Sequence, residues 1–293
     1  MDWSRGYIAV DWGTTNRRAY LIGSDGLLHE KMADNCGVRS LAKEQYPREA
    51  AYIRSRLGDL PMLVAGVAGS SRGWHAAPYV ECPATMEQLA RSLAWIEPGR
   101  TAIVPGVCQR GTDSDVMRGE EIQALGAVLA GHAPQGGLIC HPGTHAKWIR
   151  TEGSSIASFR TAMTGEFFNL LRENSSLGEM MSGAVGDNAS FRAGARAGLA
   201  GTELLSTLFT VRARSLLGEL GGQDAAFVSG LLIGSDVRDA LGRAGAEPIT
   251  LIGEPDLCGL YQVVLGEAGR ECQRVDGYAA FVSGIAALVG HLA

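Results

Sequence analysis

A faint repeat of pattern runs through this sequence. Tyr7-Ile-Ala-Val-Asp11-Trp-Gly13-Thr14-Thr15-Asn-Arg17 opens the chain, and Leu138-Ile-Cys-His141-Pro-Gly143-Thr144-His145-Ala-Lys147 follows 130 positions later. In each copy a short apolar run meets Gly-Thr, then a polar residue, then a cation three places after the threonine. A repeat constrains the whole fold, because each copy must build the same local structure. One match of this length carries little weight alone, so the rhythm of the surrounding elements has to support it.

That rhythm agrees with two copies. Tyr7–Val10 and Arg18–Ile22 read as strands around the first Gly-Thr turn, Ser24-Asp-Gly26 as a hairpin turn, and Leu27–Met32 as the next strand. A helical pattern covers Glu44–Leu57, and Met62–Val67 returns to strand. Later, Leu138–Cys140 and Trp148–Arg150 are strand-like, and helical segments fill Glu166–Gly242. Ile249–Ile252 is a strand, with Leu257–Ala268 and Tyr278–Leu292 as helices. Strands alternating with helices in both halves predict an α/β fold.

With 293 residues, 46% hydrophobic and 19% charged, the chain can fill one large domain or two ordinary ones. A net charge of −5 argues against a nucleic-acid binder, although a phosphorylated ligand needs only a few backbone N–H groups and a metal ion. The six cysteines contain no CxxC pair, which gives neither a zinc signature nor a disulfide framework. Met1–Tyr7 carries no signal-peptide pattern, and the apolar closing stretch is too short to span a membrane. The cytoplasm is the expected compartment, without a membrane partner; a homodimer is compatible with the sequence.

Four motifs bear on chemistry, each with a plainer alternative. Asp11-Trp-Gly13-Thr14-Thr15 can bring backbone N–H groups to phosphate oxygens and a carboxylate to Mg²⁺, or it is an ordinary capped hairpin turn. His141 and His145 have the spacing of helical zinc ligands, but Pro142-Gly143 prevents a helix between them. A phosphate-facing turn, with the Thr144 hydroxyl and Lys147 (one of three lysines in the chain), suits that segment better. Arg118-Gly119-Glu120-Glu121 starts an amphipathic helix, where acids are favourable in any case and where a carboxylate could also take a proton from a hydroxyl. Ser70-Ser71-Arg72-Gly-Trp74 is either a loop for a polyhydroxy acid, with Arg72 pairing the carboxylate, or a surface loop with a packed tryptophan. The strand ending at Gly253 is a weak adenine-side pattern. No Walker A loop, protein-kinase motif set or Gly-x-Ser-x-Gly elbow occurs.

The order of these motifs resembles the sugar kinase/Hsp70/actin superfamily and, more closely, the 2-dehydro-3-deoxygalactonokinase family of bacterial galactonate breakdown. The resemblance spans nearly the whole chain. Its most specific stretches are Ile8–Arg18, Val67–Pro78, Val104–Val107 with Val116–Gln123, Pro142–Trp148, Arg160–Glu166 and Phe227–Gly234. It implies two RNase H-like lobes of actin/hexokinase type, each a mixed sheet flanked by helices, with an interlobe ATP cleft. Residues 1–115 would form the N-terminal lobe and 116–293 the C-terminal lobe, with the last helix, 277–293, able to pack across to the former.

The same resemblance implies roles. Asp11, Gly13, Thr14 and Thr15 would form the first phosphate loop, with Asp11 ordering Mg²⁺. Gly143, Thr144, His145 and Lys147 would form the second, and Gly253 and Glu254 the adenosine segment. Glu120 would be the general base, with Glu121 in reserve, and Ser70, Ser71, Arg72, Trp74 and Arg118 would hold the sugar acid. Two positions depart from the family pattern: His141 stands where an Asp is usual, and Ala146 where Ser or Cys is. The implied reaction is ATP-dependent phosphorylation of the 6-hydroxyl of 2-dehydro-3-deoxygalactonate, a small-molecule substrate.

Overall fold

The apolar run at the start of the chain becomes β1 (Gly6–Trp12), which turns back through the Gly-Thr segment into β2 (Arg17–Gly23) and β3 (Leu28–Asp34). The computed structural model describes residues 2–181, 183–219 and 222–292. After α1 (Tyr46–Leu57) and β4 (Met62–Gly66) come β5 (Tyr79–Glu81), β6 (Ala84–Thr85), α2 (Met86–Arg91), β7 (Ala94–Glu97) and β8 (Thr101–Ile103). Then follow β9 (Gly106–Gln109), β10 (Asp115–Met117) and α3 (Glu120–Leu129). The second copy gives β11 (Gly137–His141), β12 (Ala146–Glu152), β13 (Ser155–Ala162), α4 (Thr164–Asn174), α5 (Ala189–Leu199), α6 (Leu204–Leu216) and α7 (Asp224–Leu241). It ends with β14 (Ile249–Gly253), α8 (Pro255–Glu267), β15 (Cys272–Asp276) and α9 (Gly277–Gly290).

Two six-stranded sheets result, ordered β3-β2-β1-β4-β8-β7 and β15-β14-β11-β12-β13-β6. Counted from the first strand of each copy, the order third, second, first, fourth is common to both sheets. The repeated segment therefore occupies the same place twice: a central strand leading through Gly-Thr to its neighbour. In the first sheet β1 runs antiparallel to β2 and parallel to β4; in the second, β11 runs parallel to β14 and β14 to β15. A three-stranded sheet, β10-β9-β5, completes the α/β fold.

The chain forms two units. One contains the residues up to Gln135, Arg150–Phe159 and Gly277 onward; the other contains Gly136–Ile149 and Arg160–Asp276. The division expected at 115/116 falls inside β10, and α3 belongs with the first unit. The reason is packing, because α3 lies against α9 with Gly126 and Gly284 at the contact. Of the expected closing helix 277–293, Gly277–Gly290 is helical, and residue 293 lies outside the described residues.

Period-two alternation decides which face of each strand is covered. Ile8, Val10 and Trp12 of β1 pack with Tyr46, Ala50, Ile53 and Leu57 of α1 in one core. On the opposite face of the sheet, Tyr20 of β2 packs on Tyr278 (4.9 Å between ring centroids) and Phe281 (5.7 Å) of α9. The second unit's core joins Leu138, Cys140 and Trp148 to Phe191, Ala226, Val237, Tyr261 and Val264. No helix among the described residues is long and apolar enough to cross a membrane.

Glycines let two helix pairs approach backbone to backbone. A Cβ added to Gly194 of α5 would overlap the Phe227 carbonyl oxygen, and one on Gly230 of α7 the Phe191 carbonyl oxygen. Gly198 and Gly234 repeat the contact one turn on. Gly230→Ala is expected to destabilise the protein by about 3 kcal/mol, because the added methyl meets rigid backbone. Gly259→Ala, also helical but with nothing within 4 Å of the new Cβ, should instead add about 0.5–1 kcal/mol. Thermal or urea unfolding of the two variants against the parent measures both shifts.

Candidate active site

The first Gly-Thr turn closes with the Gly13 N–H donating to the Asn16 carbonyl at 2.9 Å. The carbonyls of Gly13, Thr14 and Thr15 each accept at 3.0 Å from the N–H groups of Val38, Arg39 and Gly37. Among the described residues, the Thr14 and Thr15 N–H groups donate to no backbone carbonyl, and both residues are exposed. Such a turn presents donors to an anion. Gly37 makes the support possible: a Cβ there would sit 2.5 Å from both the Thr14 carbonyl oxygen and the Thr15 Cα.

Arg17, the cation of the first repeat, is engaged elsewhere. Its guanidinium is 1% exposed, donates to Asp34 at 2.6 Å and Glu49 at 2.9 Å, and lies 5.0 Å from the Trp12 ring. It fastens the base of the turn to β3 and α1.

Asp11, one residue before the end of β1, lies opposite Arg18, at 3.9 Å from that guanidinium. Alternation puts it on the face whose β2 residue Tyr20 packs on α9, the helix against which α3 lies. Asp11 also pairs across β4 with Ala65, whose neighbour Gly66 has φ +95°. A Cβ on Gly119 would be 3.2 Å from the Gly66 Cα, so two glycines bring the start of α3 to the end of β4.

The two acids at that start differ sharply. Glu120 is half-buried and accepts the Arg118 backbone N–H at 3.1 Å. Glu121 is fully buried; one carboxyl oxygen accepts the Gly119 N–H at 2.6 Å and the other has no hydrogen-bond partner among the described residues. Burial, with the charge of Glu120 beside it, pushes the Glu121 carboxyl up from the usual 4.5 to about 8.

The loop after β4 adjoins these acids. A Cβ on Gly69 would lie 2.6 Å from the Arg118 guanidinium. That guanidinium donates to the carbonyls of Ala77 at 2.9 Å and of Val104 and Pro78 at 3.4 Å, and lies 4.5 Å from the Tyr79 ring. Arg118 thus clasps the loop. Ser71 and Arg72 are exposed, and among the described residues Arg72 forms no ion pair. Trp74 is half-buried, stacked on Tyr46 at 5.8 Å and edge-on to Trp12 at 6.3 Å. Ser70 Oγ, Arg118 Nε and Glu121 Oε1 are buried without hydrogen-bond partners among the described residues. Native proteins rarely leave such atoms unpaired.

The second turn lies between β11 and β12, with Thr144 and His145 exposed and Gly143 half-buried. His141 ends a strand and His145 follows the turn, so the two do not share a helix. Among the described residues no group of three His, Cys, Asp or Glu could hold a metal ion. Lys147 is 5% exposed on β12, without an ion pair among the described residues. Gly253, at φ +146°, comes close enough that a Cβ would be 3.4 Å from the Pro142 carbonyl oxygen; Glu254 beside it is exposed.

Here too a glycine carries the support. A Cβ on Gly165 would lie 2.5 Å from the Gly143 carbonyl oxygen. The Glu166 N–H donates to the Thr144 carbonyl at 2.8 Å, and the Glu166 carboxylate meets His145 Nε2 at 2.5 Å. Sequence reasoning assigned no role to Gly37, Gly165, Glu166 or the buried Asp236. Gly165 and Glu166 fall within the Arg160–Glu166 stretch that carried the family resemblance, which was the available signal.

The family model for 2-keto-3-deoxy-galactonokinase matches residues 11–288. The 2-dehydro-3-deoxygalactonokinase of Escherichia coli K12 is 36% identical over 286 residues, covering 95% of this chain and 96% of that protein. A crystal structure from Sinorhizobium meliloti, which carries the same enzyme name provisionally, superposes with a TM-score of 0.89 at 32% identity. It covers 97% of this chain and 95% of that one. The 2-hydroxyisocaproyl-CoA dehydratase activator of Clostridium difficile, solved with ADPNP, superposes at 0.52 over 98% of this chain and 96% of its own. At 10% identity that likeness speaks for the fold alone. The repeated Gly-Thr turns, the acid-led helix and a full-length match lead to one assignment: the chain belongs to the 2-keto-3-deoxy-galactonokinase family.

Proposed function

We propose that this carbohydrate kinase transfers the γ-phosphoryl group of ATP to the 6-hydroxyl of 2-dehydro-3-deoxy-D-galactonate, giving 2-dehydro-3-deoxy-6-phosphogalactonate in cytoplasmic D-galactonate catabolism. The observation that carries the reading is the pair of Gly-Thr turns at equivalent places in two sheets that share a four-strand order, in a chain of this family. Phosphoryl transfer asks chiefly for positioning and charge neutralisation, which such turns supply.

In this reading Gly13, Thr14 and Thr15 form one phosphate loop, and Gly143, Thr144, His145 and Lys147 the other. Gly253 leaves room for adenosine beside Glu254. A single half-buried carboxylate, Asp11, suits Mg²⁺, which keeps most of its waters and takes few protein ligands. Bound there, Mg²⁺ would neutralise phosphate charge. Arg72 pairs the substrate carboxylate, while Ser70 and Ser71 offer hydroxyls. Arg118 and Trp74 act on the substrate by holding the loop.

Glu120 is the better base. It is half-buried at the first position of α3, whereas Glu121 is sealed and holds its proton up to about pH 8. As the 6-oxygen bonds to the γ-phosphorus and the bond to the ADP oxygen breaks, Glu120 takes the hydroxyl proton. Glu121 keeps the Gly119 N–H satisfied and fixes the entry to the helix.

A coupled ADP-release assay with ATP, Mg²⁺ and the galacto compound, beside its gluco epimer and a no-sugar control, tests the reaction. Turnover confined to the galacto substrate is expected; ADP release without sugar would mean a hydrolase. Glu120→Gln should fold normally and lose on the order of 10²–10⁴ in turnover. Glu121 gives a pH signature. Its folded carboxyl stays protonated to about 8 while the unfolded one ionises near 4.5, so its stabilisation is complete below about 4.5 and lost as pH rises towards 8. Unfolding free energy measured across that window should decline in the parent and decline less in Glu121→Gln.

A further inference from the structure

We infer that Asp236, on α7 and outside every motif of the phosphate loops, positions the second phosphate turn by holding both of its flanks. The inference rests on reading 143–147 as a phosphate turn.

Asp236 is 8% exposed, and its carboxylate receives three donors from three elements. Trp148 Nε1 donates to one oxygen at 2.8 Å; Thr164 Oγ1 at 2.9 Å and the Tyr261 hydroxyl at 2.5 Å donate to the other. Trp148 immediately follows Lys147 on β12. Thr164 is the first residue of α4, whose next two residues close on the turn from its other side. Gly165 packs on the Gly143 carbonyl, the Glu166 N–H holds the Thr144 carbonyl at 2.8 Å, and the Glu166 carboxylate holds His145 at 2.5 Å. One carboxylate therefore ties together the strand that leaves the turn and the helix that buttresses it.

Stability alone does not call for this arrangement. A buried carboxylate carries a large desolvation penalty, and a well-packed apolar side chain often does as well or better. What the carboxylate adds is direction: three fixed donors set the orientation of Thr164 relative to Trp148 to within hydrogen-bond geometry. Small misplacements near reacting groups can cost as much as 10²-fold in rate. Tyr261, on α8, shares the carboxylate, hydrogen-bonds Thr164 and lies 6.3 Å from the Trp148 ring, but makes no described contact with residues 143–147; its loss leaves both flanks still tied through Asp236, so it separates positioning from stability.

The test compares Thr164→Val, Tyr261→Phe, Asp236→Asn and Lys147→Met in the full chain, reading the thermal midpoint, KM for ATP, KM for the sugar acid and kcat. Thr164→Val is expected to raise KM for ATP about tenfold, with KM for the sugar acid within about twofold of the parent. Tyr261→Phe should lower the thermal midpoint at least as much and leave KM for ATP unchanged. The double variant Thr164→Val with His145→Ala should show less than the sum of the two single effects on ATP binding. Equal losses of stability in Thr164→Val and Tyr261→Phe, with KM for ATP unmoved in both, would make Asp236 a purely structural anchor and overturn the inference. If Lys147→Met leaves KM for ATP unchanged, the phosphate-turn reading itself falls. Should Asp236→Asn not fold, the valine and phenylalanine variants decide the matter alone.

Discussion

Both Gly-Thr turns depend on a second backbone segment lying closer than any side chain allows. Gly37 abuts Thr14 and Thr15, and Gly165 abuts Gly143 and Thr144. In each case the buttress takes turn carbonyls as hydrogen-bond partners: three in the first turn, and that of Thr144 in the second. A carbonyl fixed in one direction fixes the N–H of the same peptide in the other, because the peptide unit is planar. The donors that an anion would meet are thus set before it arrives, and little has to reorganise on binding.

The charged residues around the turns show how two copies of one motif diverge. Arg17 and Lys147 stand at equivalent places, three residues after the threonine, and both are buried. Arg17 is neutralised by Asp34 and Glu49, so its charge serves the scaffold. Lys147 has no such ion pair among the described residues. The buried acids divide in the same way. Asp236 accepts three donors, whereas one oxygen of Glu121 has none among the described residues, and in both cases burial pushes the carboxyl up.

Much of this was legible in the sequence. β1, β2, β4, β11 and β14 were readable because continuous apolar runs meet glycine or a polar turn, and α1 and α8 because their periodicity is regular. The run from β5 to β10 was not, since strands of two to four residues show too little alternation to read. β15 is mostly exposed or half-buried and also lacked an apolar signal. For the site, residue type and order pointed to both turns and to α3. The contrast between Glu120 and Glu121 needed three dimensions, because adjacent helical positions differ by about 100° in direction. Trp74 was named as a sugar-side residue, and its ring packs on Tyr46 and Trp12. Asp236 had only a faint signal, an acid that follows the apolar run Phe227–Gly234 of α7, and Gly37 had none, because close approach is a relation between distant segments.

The placement of α9 has a consequence for how the protein is made. This helix follows the entire second unit in the sequence, yet it packs on α3 and covers Tyr20 in the first. A ribosome releases residues in order, at roughly 5–20 per second, and units usually fold as they emerge. Here the first unit must wait for a helix synthesised after the whole second unit, with the α9-facing sides of β2 and α3 uncovered meanwhile. The second unit, whose segments emerge earlier than α9, can complete its core first. Order of synthesis and order of completion are therefore reversed in this chain, and the early segment is the one that needs protection from aggregation while translation continues.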